Sequence, residues 1–359
     1  MRIMFVYFIA EDAGSAQDVH NYIRAAEALG HEVVLYGRPG VLPSFRFSLD
    51  VESADAVFFI FEWTTDLRFG DQLDWARLAG KVPRHKRFVI DCDGAYNEMI
   101  HLEDDLNHRD PVSSRRWMDV CESLADHIFQ PTLHPLKPNV RPFFFHAYDP
   151  AWERPLDFRG KQYAMAYVGH AKFRYFPMLR VLRAIEPIRD RIGKIAVVGH
   201  GWSEMPPWAG WMKIEDYFYT DQTYLKKMCV EYVPPVPFAQ VIDWMSKGVV
   251  SPVIYRPLFS HLRFVTCRTF ETVAANTIPL FGLDPDYVRE IYGEPALELV
   301  LPKDLALAEE KVADIFDRPD HYADRVIATR KRMAERHSFE ARLREMVEIA
   351  KGGNDAERG

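Results

Sequence analysis

The chain has 359 residues, more than one hydrophobic core usually serves, so two domains of about 150 residues each are expected. Hydrophobic residues make up 48% and charged residues 27%, a globular balance that excludes extensive disorder. The formal charge of -7, from 52 acids and 45 bases, does not build the broad positive field of a nucleic-acid binder, so no nucleic-acid partner is expected.

Ile3 to Ile9 is a near-continuous apolar run, read as a strand buried on both faces of a parallel sheet. It meets acids too soon for a signal peptide, and no stretch approaches the length of a membrane span. Gly14 and Ser15 follow, with Ser15 placed as an N-cap and Asp18 three residues on. Val19, Tyr22, Ile23, Ala26 and Leu29 recur at helical spacing, Gly30 stops the helix, and HEVVLYG reads as the second strand. Further strands are expected at Ala56–Phe61, Arg87–Asp91 and His127–Gln130, with helices between them. Residues 1–150 therefore read as a doubly wound Rossmann-like α/β domain, ending in a Pro-rich linker around Tyr148–Pro155.

The alternation then restarts. YAMAYVGH is a strand, Met178–Ile188 a helix, and KIAVVGHGW and EYVPPV are strands. A helix over Phe238–Lys247, the strand VSPVIY, the helix TFETVAAN and the strand TIPLFG complete a second Rossmann-like domain over residues 151–335. Residues 336–359 form a C-terminal helix and tail, with Phe339, Leu343, Met346 and Val347 on one face that must pack on something. Ligands of such paired domains sit in the cleft between them. Cys92, Cys121, Cys229 and Cys267 make no CxxC pair, which disfavours a zinc knuckle and points to reduced thiols in a cytoplasm.

Three segments resemble the GT-B-fold glycosyltransferases, especially glycosyltransferase family 4 and its spore-maturation-protein-type branch. They are the opening strand, Gly14-Ser15 and helix leading into ALGHEVVLYG; the pair AYVGHAKFRYFPMLRVL and KIAVVGHGW; and CRTFETVAANTIPLFG with the later AERHSFEARLREMVEI. The last segment carries the RxFE motif of that branch as Arg268-Thr269-Phe270-Glu271. The resemblance implies two Rossmann-like domains facing each other across a cleft, with the C-terminal helix packing back on the first. Residues 151–335 would hold a nucleoside-diphosphate sugar and residues 1–150 the acceptor, giving a hexosyltransferase.

In that family the motif glutamate, here Glu271, takes the vicinal ribose hydroxyls, as a carboxylate suits paired hydroxyl donors. A helix N-terminus near Thr266–Thr269 suits a diphosphate, and Arg268 and Thr269 adjoin the same turn. The loop HAKFR corresponds to the family's basic loop: His170 binds donor, and Lys172 and Arg174 stabilise the leaving diphosphate. Gly169 supplies a permissive turn there, and Gly14 and Ser15 a close approach to the donor. Many family members carry a sugar-contacting glutamate eight positions before the one matching Glu271; this chain has Arg263, as its branch does, which leaves sugar choice and stereochemistry open.

Asp91-Cys92-Asp93 is a DxD, a divalent-cation pattern of another glycosyltransferase fold. The phosphate-holding features lie in the other half, so no metal and no cofactor are expected, and Asp93 is read as an acceptor-side general base if the reaction inverts. The polar run His101, Glu103, Asp104, Asp105 and His108 either orients an acceptor or is a solvated loop. Trp202, Trp208, Trp211, Tyr217, Phe218 and Tyr219 either stack on a ligand or form a satellite core. The expected partners are a nucleotide-sugar donor and a small-molecule, glycan or lipid acceptor, with Lys331, Arg332 and Arg336 open to a membrane surface. The alternatives are a nucleotide-sugar 2-epimerase-like enzyme and a non-catalytic nucleotide-sugar-binding protein.

Overall fold

The computed structural model describes residues 1–7, 14–37, 45–62, 75–205 and 218–355. Its first half runs β1 (Arg2–Tyr7), α1 (Gly14–Ala28), β2 (Glu32–Tyr36), β3 (Phe47–Ser48), β4 (Ala56–Phe61), α2 (Trp75–Gly80) and β5 (Arg87–Asp91). It continues with β6 (His101–Leu102), β7 (Asp105–Leu106), α3 (Pro111–Leu124), β8 (His127–Gln130) and β9 (Val140–Pro142). The described strands of the main sheet pair in the order β3-β2-β1-β4-β5-β8-β9, with β1 parallel to both β2 and β4.

Alternation along the strand explains why β1 reads as continuously apolar. Ile3, Phe5 and Tyr7 pack on the face that holds α1, whereas Met4 and Val6 pack on the opposite face with α2 and α3.

The second half begins with β10 (Tyr163–Val168), α4 (Tyr175–Ile185), β11 (Ile195–Val198), α5 (Gln222–Lys227), β12 (Val230–Val233), α6 (Val241–Met245) and β13 (Gly248–Val253). It ends with α7 (Pro257–Leu262), α8 (Cys267–Ala274), β14 (Ile278–Phe281), α9 (Pro285–Tyr292), α10 (Leu305–Asp317), α11 (Ala323–Arg336) and α12 (Phe339–Asp355). Its parallel sheet runs β12-β11-β10-β13-β14. In both sheets the strand order reverses beside the first strand, at β1/β4 and β10/β13, which is where doubly wound folds bind ligands.

The last helix returns to the first half. Phe339, Leu343 and Met346 of α12 are buried among Ile3, Phe5 and Tyr22. Each such side chain contributes about 2 kcal/mol through burial. The crossing is fixed by the Tyr148 amide donating to the His337 carbonyl at 2.7 Å. Arg330 closes the join from below. Its guanidinium donates to the carbonyls of Val273, Ala274, Ala275 and Arg154, which caps the C-terminal end of α8.

Several boundaries move from the sequence reading. Residues 8–13, including the end of the expected first strand, lie outside the described residues. Gly14 already belongs to α1, so Ser15 lies inside the helix rather than at its N-cap. The helix expected over 178–188 starts at Tyr175, and Pro187 ends it in a 3-10 turn over 186–191. The expected helix over 238–247 is a 3-10 turn followed by α6 alone.

Candidate active site

The loop between β10 and α4 holds Gly169, His170, Lys172 and Arg174 at the carboxyl end of the second sheet. Its backbone is tightly held. The Gly169 carbonyl accepts from the Trp202 indole at 2.7 Å, and a Cβ on Gly199 (φ 139°) would lie 2.5 Å from that same oxygen. Only glycine allows the ends of β10 and β11 to approach so closely. Phe173 adopts φ 52°, an outlier for an aromatic residue, with the Arg256 guanidinium 4.9 Å above its ring.

Arg268, at the start of α8, ties this loop to the helix. Its Nε donates to the Val168 carbonyl at 2.8 Å, and its guanidinium binds one oxygen of Glu271. Glu271 is only 1% exposed, and its other oxygen, Oε1, has no hydrogen-bond partner. Thr269 works inside the helix cap: its hydroxyl accepts from the Thr266 amide at 3.0 Å and bonds the Tyr255 hydroxyl. Thr269 thus shapes the N-terminus through a Thr266/Thr269 capping box. The amides of Cys267 and Arg268, at the first helical positions, have no acceptor within the helix.

These elements meet at His170. The loss of solvation holds its imidazole at about 3, reinforced by positive charge from Arg174, His200, Arg268 and Lys172. The His200 amide donates to Nδ1 at 3.4 Å and the two imidazoles stack with centroids 5.2 Å apart. His170 is therefore neutral, with its proton on Nε2, in an electropositive recess that includes the buried Lys172. Such a recess stabilises anions. The structure thus brings Gly169, His170, Lys172, Arg174, Arg268, Thr269 and Glu271 into one neighbourhood.

Arg263 is engaged elsewhere. It ends α7 in the left-handed conformation (φ 53°), and its guanidinium lies 3.6 Å from Glu290 and 3.7 Å from Asp284.

On the first half, Asp91 and Asp93 follow different fates. Asp91 is fully buried and accepts from the amides of Ala95 and Tyr96 and from Gln130, each at 2.8 Å. It is a structural carboxylate, and burial raises its pKa. Asp93 is half-buried at the carboxyl end of β5, on the edge where Tyr7 ends β1 and Glu62 follows β4. Among the described residues, no group of three or more His, Cys, Asp or Glu side chains is placed to hold a metal ion.

Sequence reasoning missed a cluster behind Asp93. His146 Nδ1 lies 2.7 Å from Asp18 Oδ2, its Nε2 lies 3.9 Å from Glu62 Oε1, and the Tyr7 hydroxyl donates to Glu62 Oε2. The available signal was a polar residue directly after a buried run, Glu62 after AVFFIF and His146 after FFF.

The remaining motifs resolve differently. Asp105 pairs with Arg256 across the two halves, and His108 Nε2 meets the Ala95 carbonyl at 3.0 Å. His101, Glu103 and Asp104 line a cavity of about 370 Å³ with Phe173, Phe176 and Tyr219. Trp202 and Phe218 are core residues, while Trp208, Trp211 and Tyr217 lie outside the described residues. Arg332 donates to the Glu290 and Ile291 carbonyls, and Lys331 lies 4.0 Å from Glu335. No helix among the described residues is long and apolar enough to cross a membrane.

No protein-family model matches the chain, and no curated protein matches it in sequence. Solved structures do match. An alpha-glucosyltransferase in complex with UDP and a 13-mer DNA containing a central A:G mismatch gives a TM-score of 0.62 at 13% identity, covering 98% of this chain and 100% of that one. An alpha-glucosyltransferase with UDP-glucose and DNA containing an abasic site gives 0.61 at 12% identity, covering 98% and 99%. T4 phage beta-glucosyltransferase with UDP and Mn2+ gives 0.58 at 13% identity, covering 98% and 99%. These likenesses correct the expectation that nucleic acid is no partner, because proteins of this fold hold DNA. Net charge averages over the whole surface, whereas a bound strand senses only the local field. The likenesses span both halves of the chain, and its fold is the GT-B fold, two Rossmann-like domains across a cleft with α12 packed back on the first.

Proposed function

We propose that this protein is a metal-independent hexosyltransferase that moves a sugar from a nucleoside-diphosphate donor to an acceptor hydroxyl. The observation that carries this reading is the convergence of Lys172, Arg174 and Arg268 on His170, beside the N-terminus of α8 and the half-bonded Glu271. A diphosphate fits that field, and a ribose diol fits a carboxylate with one oxygen unengaged. The glucosyltransferases of this fold are solved with UDP or UDP-glucose, which makes uridine the first base to test.

In this proposal residues 151–335 hold the donor, residues 1–150 the acceptor, and residues 336–359 join the two. The acceptor oxygen attacks the anomeric carbon as the bond from that carbon to the diphosphate breaks, and Lys172, Arg174 and the α8 amides stabilise the departing charge. With inversion the hydroxyl proton passes to Asp93; with retention it passes to a donor phosphate oxygen. Alpha- and beta-glucosyltransferases share this fold, so the fold leaves both routes open. Membership of family 4, in its RxFE branch, belongs to the same proposal and rests on Arg268, Phe270 and Glu271. Gly14 and Ser15 at the start of α1 complete the donor side of the cleft. DNA is the first acceptor class to test, because structures of this fold hold it. A cytoplasmic setting, with the cysteines reduced, fits the absence of disulfides among the described residues.

The test is thermal stabilisation by UDP, GDP, ADP and UDP-glucose, with EDTA or with Mn2+, followed by sugar transfer to DNA carrying a hydroxymethylated base. A nucleotide shift that persists in EDTA and is lost in Glu271→Ala supports the reading. No shift in EDTA and a strong one with Mn2+ would transfer the weight to a metal bridge.

A further inference from the structure

No step above uses the cavity of about 370 Å³ between the two halves, a volume within the range of small-ligand pockets. One wall is the β6–β7 hairpin of the first half, with Glu103 and Asp104 in its two-residue turn. The other wall belongs to the second half: Phe173 and Phe176 around the start of α4, and Tyr219 before α5. Asp105 holds the hairpin to Arg256, and Asn107 Nδ2 donates to the Gly94 carbonyl at 3.1 Å, which ties the base of the hairpin to the residue after Asp93. Phe173 stands between Lys172 and Arg174 in the chain, so the cavity and the electropositive recess share one loop. The Phe176 and Tyr219 rings lie 14° from parallel with centroids 5.7 Å apart, braced edge-on by the buried Tyr175 at 5.5 and 5.4 Å. Both rings stay exposed, at 42% and 45%, and a flat ligand stacked on them would remove that apolar surface from water. Glu103 makes no hydrogen bond or ion pair among the described residues, and an ionised carboxylate only accepts. Among the described residues no lysine or arginine lines the cavity. Phosphate therefore does not suit it, whereas a neutral ring with hydrogen-bond donors on its rim does.

We propose that this cavity is the acceptor subsite and takes a nucleobase that carries an exocyclic amine, stacked on Phe176 and Tyr219 with the amine donating to Glu103. This deepens the glycosyltransferase reading and rests on it. Cytosine presents an amine donor at the position where uracil presents a carbonyl acceptor. Against Glu103 the carbonyl places two acceptors face to face with no proton between them, so a uracil-type base leaves the carboxylate unpaired. Stacking is nearly indifferent to which base is present, so Phe176 and Tyr219 supply affinity and Glu103 supplies the choice.

The experiment measures binding of the full chain to two short single-stranded oligonucleotides, by fluorescence anisotropy with UDP present. They differ in one base, hydroxymethylcytosine or hydroxymethyluracil. Single strands avoid the cost of drawing a base out of a duplex, and identical phosphates cancel between the two probes. The wild type should bind the hydroxymethylcytosine strand at least about tenfold more tightly, the worth of one good base contact. Glu103→Gln, whose amide both donates and accepts, should bring the two affinities within about twofold of each other. Phe176→Leu with Tyr219→Leu should weaken both strands about tenfold and leave the wild-type ratio in place. Equal wild-type affinities overturn the proposal, and they need no variant to fold. A preference that survives Glu103→Gln also overturns it, as does displacement of the hydroxymethylcytosine strand by methyl glucoside but not by hydroxymethyldeoxycytidine, which would make the cavity a sugar site. UDP-induced thermal stabilisation separates the two readings. Its presence without a base preference removes the acceptor subsite alone, and its absence beside a base preference lost in Glu103→Gln removes the donor reading and leaves the base site standing.

Discussion

Arg268 and Glu271, one turn apart on α8, are bonded side chain to side chain, while the second oxygen of Glu271 is buried without a partner. An unsatisfied buried carboxylate oxygen costs more than a hydrogen bond returns, and a ribose hydroxyl of the proposed donor would supply the partner that this oxygen lacks. Glu271→Ala should weaken UDP binding by about 10- to 100-fold, the worth of one or two hydrogen bonds to a charged group. Titration calorimetry measures this directly, and an affinity within twofold of wild type would remove Glu271 from the donor site.

Lys172 and Arg174 lie on the same loop but differ in setting, Lys172 being buried and Arg174 half-buried, with its Nη1 donating to the Lys172 carbonyl at 3.2 Å. Charge that develops on a leaving diphosphate is stabilised most by the group with least water around it. Lys172→Met should therefore lower kcat by about 100-fold and Arg174→Gln by less, with smaller effects on KM. Steady-state kinetics on the two variants give the order; equal losses in kcat and UDP affinity would indicate plain anion binding instead.

How the sequence exposed this site follows from where its signals lie. β4, β5 and β8 are buried apolar runs, and their expected bounds coincide with the observed ones. The basic loop and the RxFE helix are contiguous segments, so their residue types are legible together. The His146 cluster is not contiguous: its members come from α1, the ends of β1, β4 and β5, and the segment that follows β9. Only the 3-2-1-4-5 strand order brings them to one edge. β3, β6, β7 and β9 are two or three residues long and carry no period to detect. The nucleic-acid expectation failed for another reason, since a sum of charges over the chain does not describe the cleft.

Asp105 and Arg256 join the two halves by a bidentate pair, with Nε to Oδ2 at 2.8 Å and Nη2 to Oδ1 at 2.5 Å. Asp105 also accepts from the Leu258 amide at 2.9 Å and is fully enclosed. Removing one member strands the other in a dry setting. Asp105→Ala should lower stability by about 3–5 kcal/mol, and Asp105→Ala with Arg256→Met should recover part of that loss. Urea unfolding of the single and double variants measures the difference, and a double variant no better than the single would mean that the pair itself is stabilising.

His337 provides a test through pH. It lies between the rings of Phe144 and Phe270, at 5.6 and 5.9 Å, and neither ring nitrogen has a hydrogen-bond partner. Burial, with help from Arg342 and Arg332, holds its pKa at about 3, and burial holds His170 at the same value. Unfolded, both would titrate near 6.5, so between pH 3 and 6.5 the unfolded chain binds protons that the folded chain refuses. The stability they leave in place is full above pH 6.5 and falls as pH drops below it. Each such histidine contributes a slope of about 1.4 kcal/mol per pH unit within that window. His337→Phe keeps the backbone bonds to Tyr148 and Met333 and removes one titrating group. Its unfolding free energy should therefore depend on pH less steeply than the wild type's by about one proton near pH 5. An unchanged slope in urea titrations at pH 4.5 to 6.5 would show that His337 is already solvated in the folded protein.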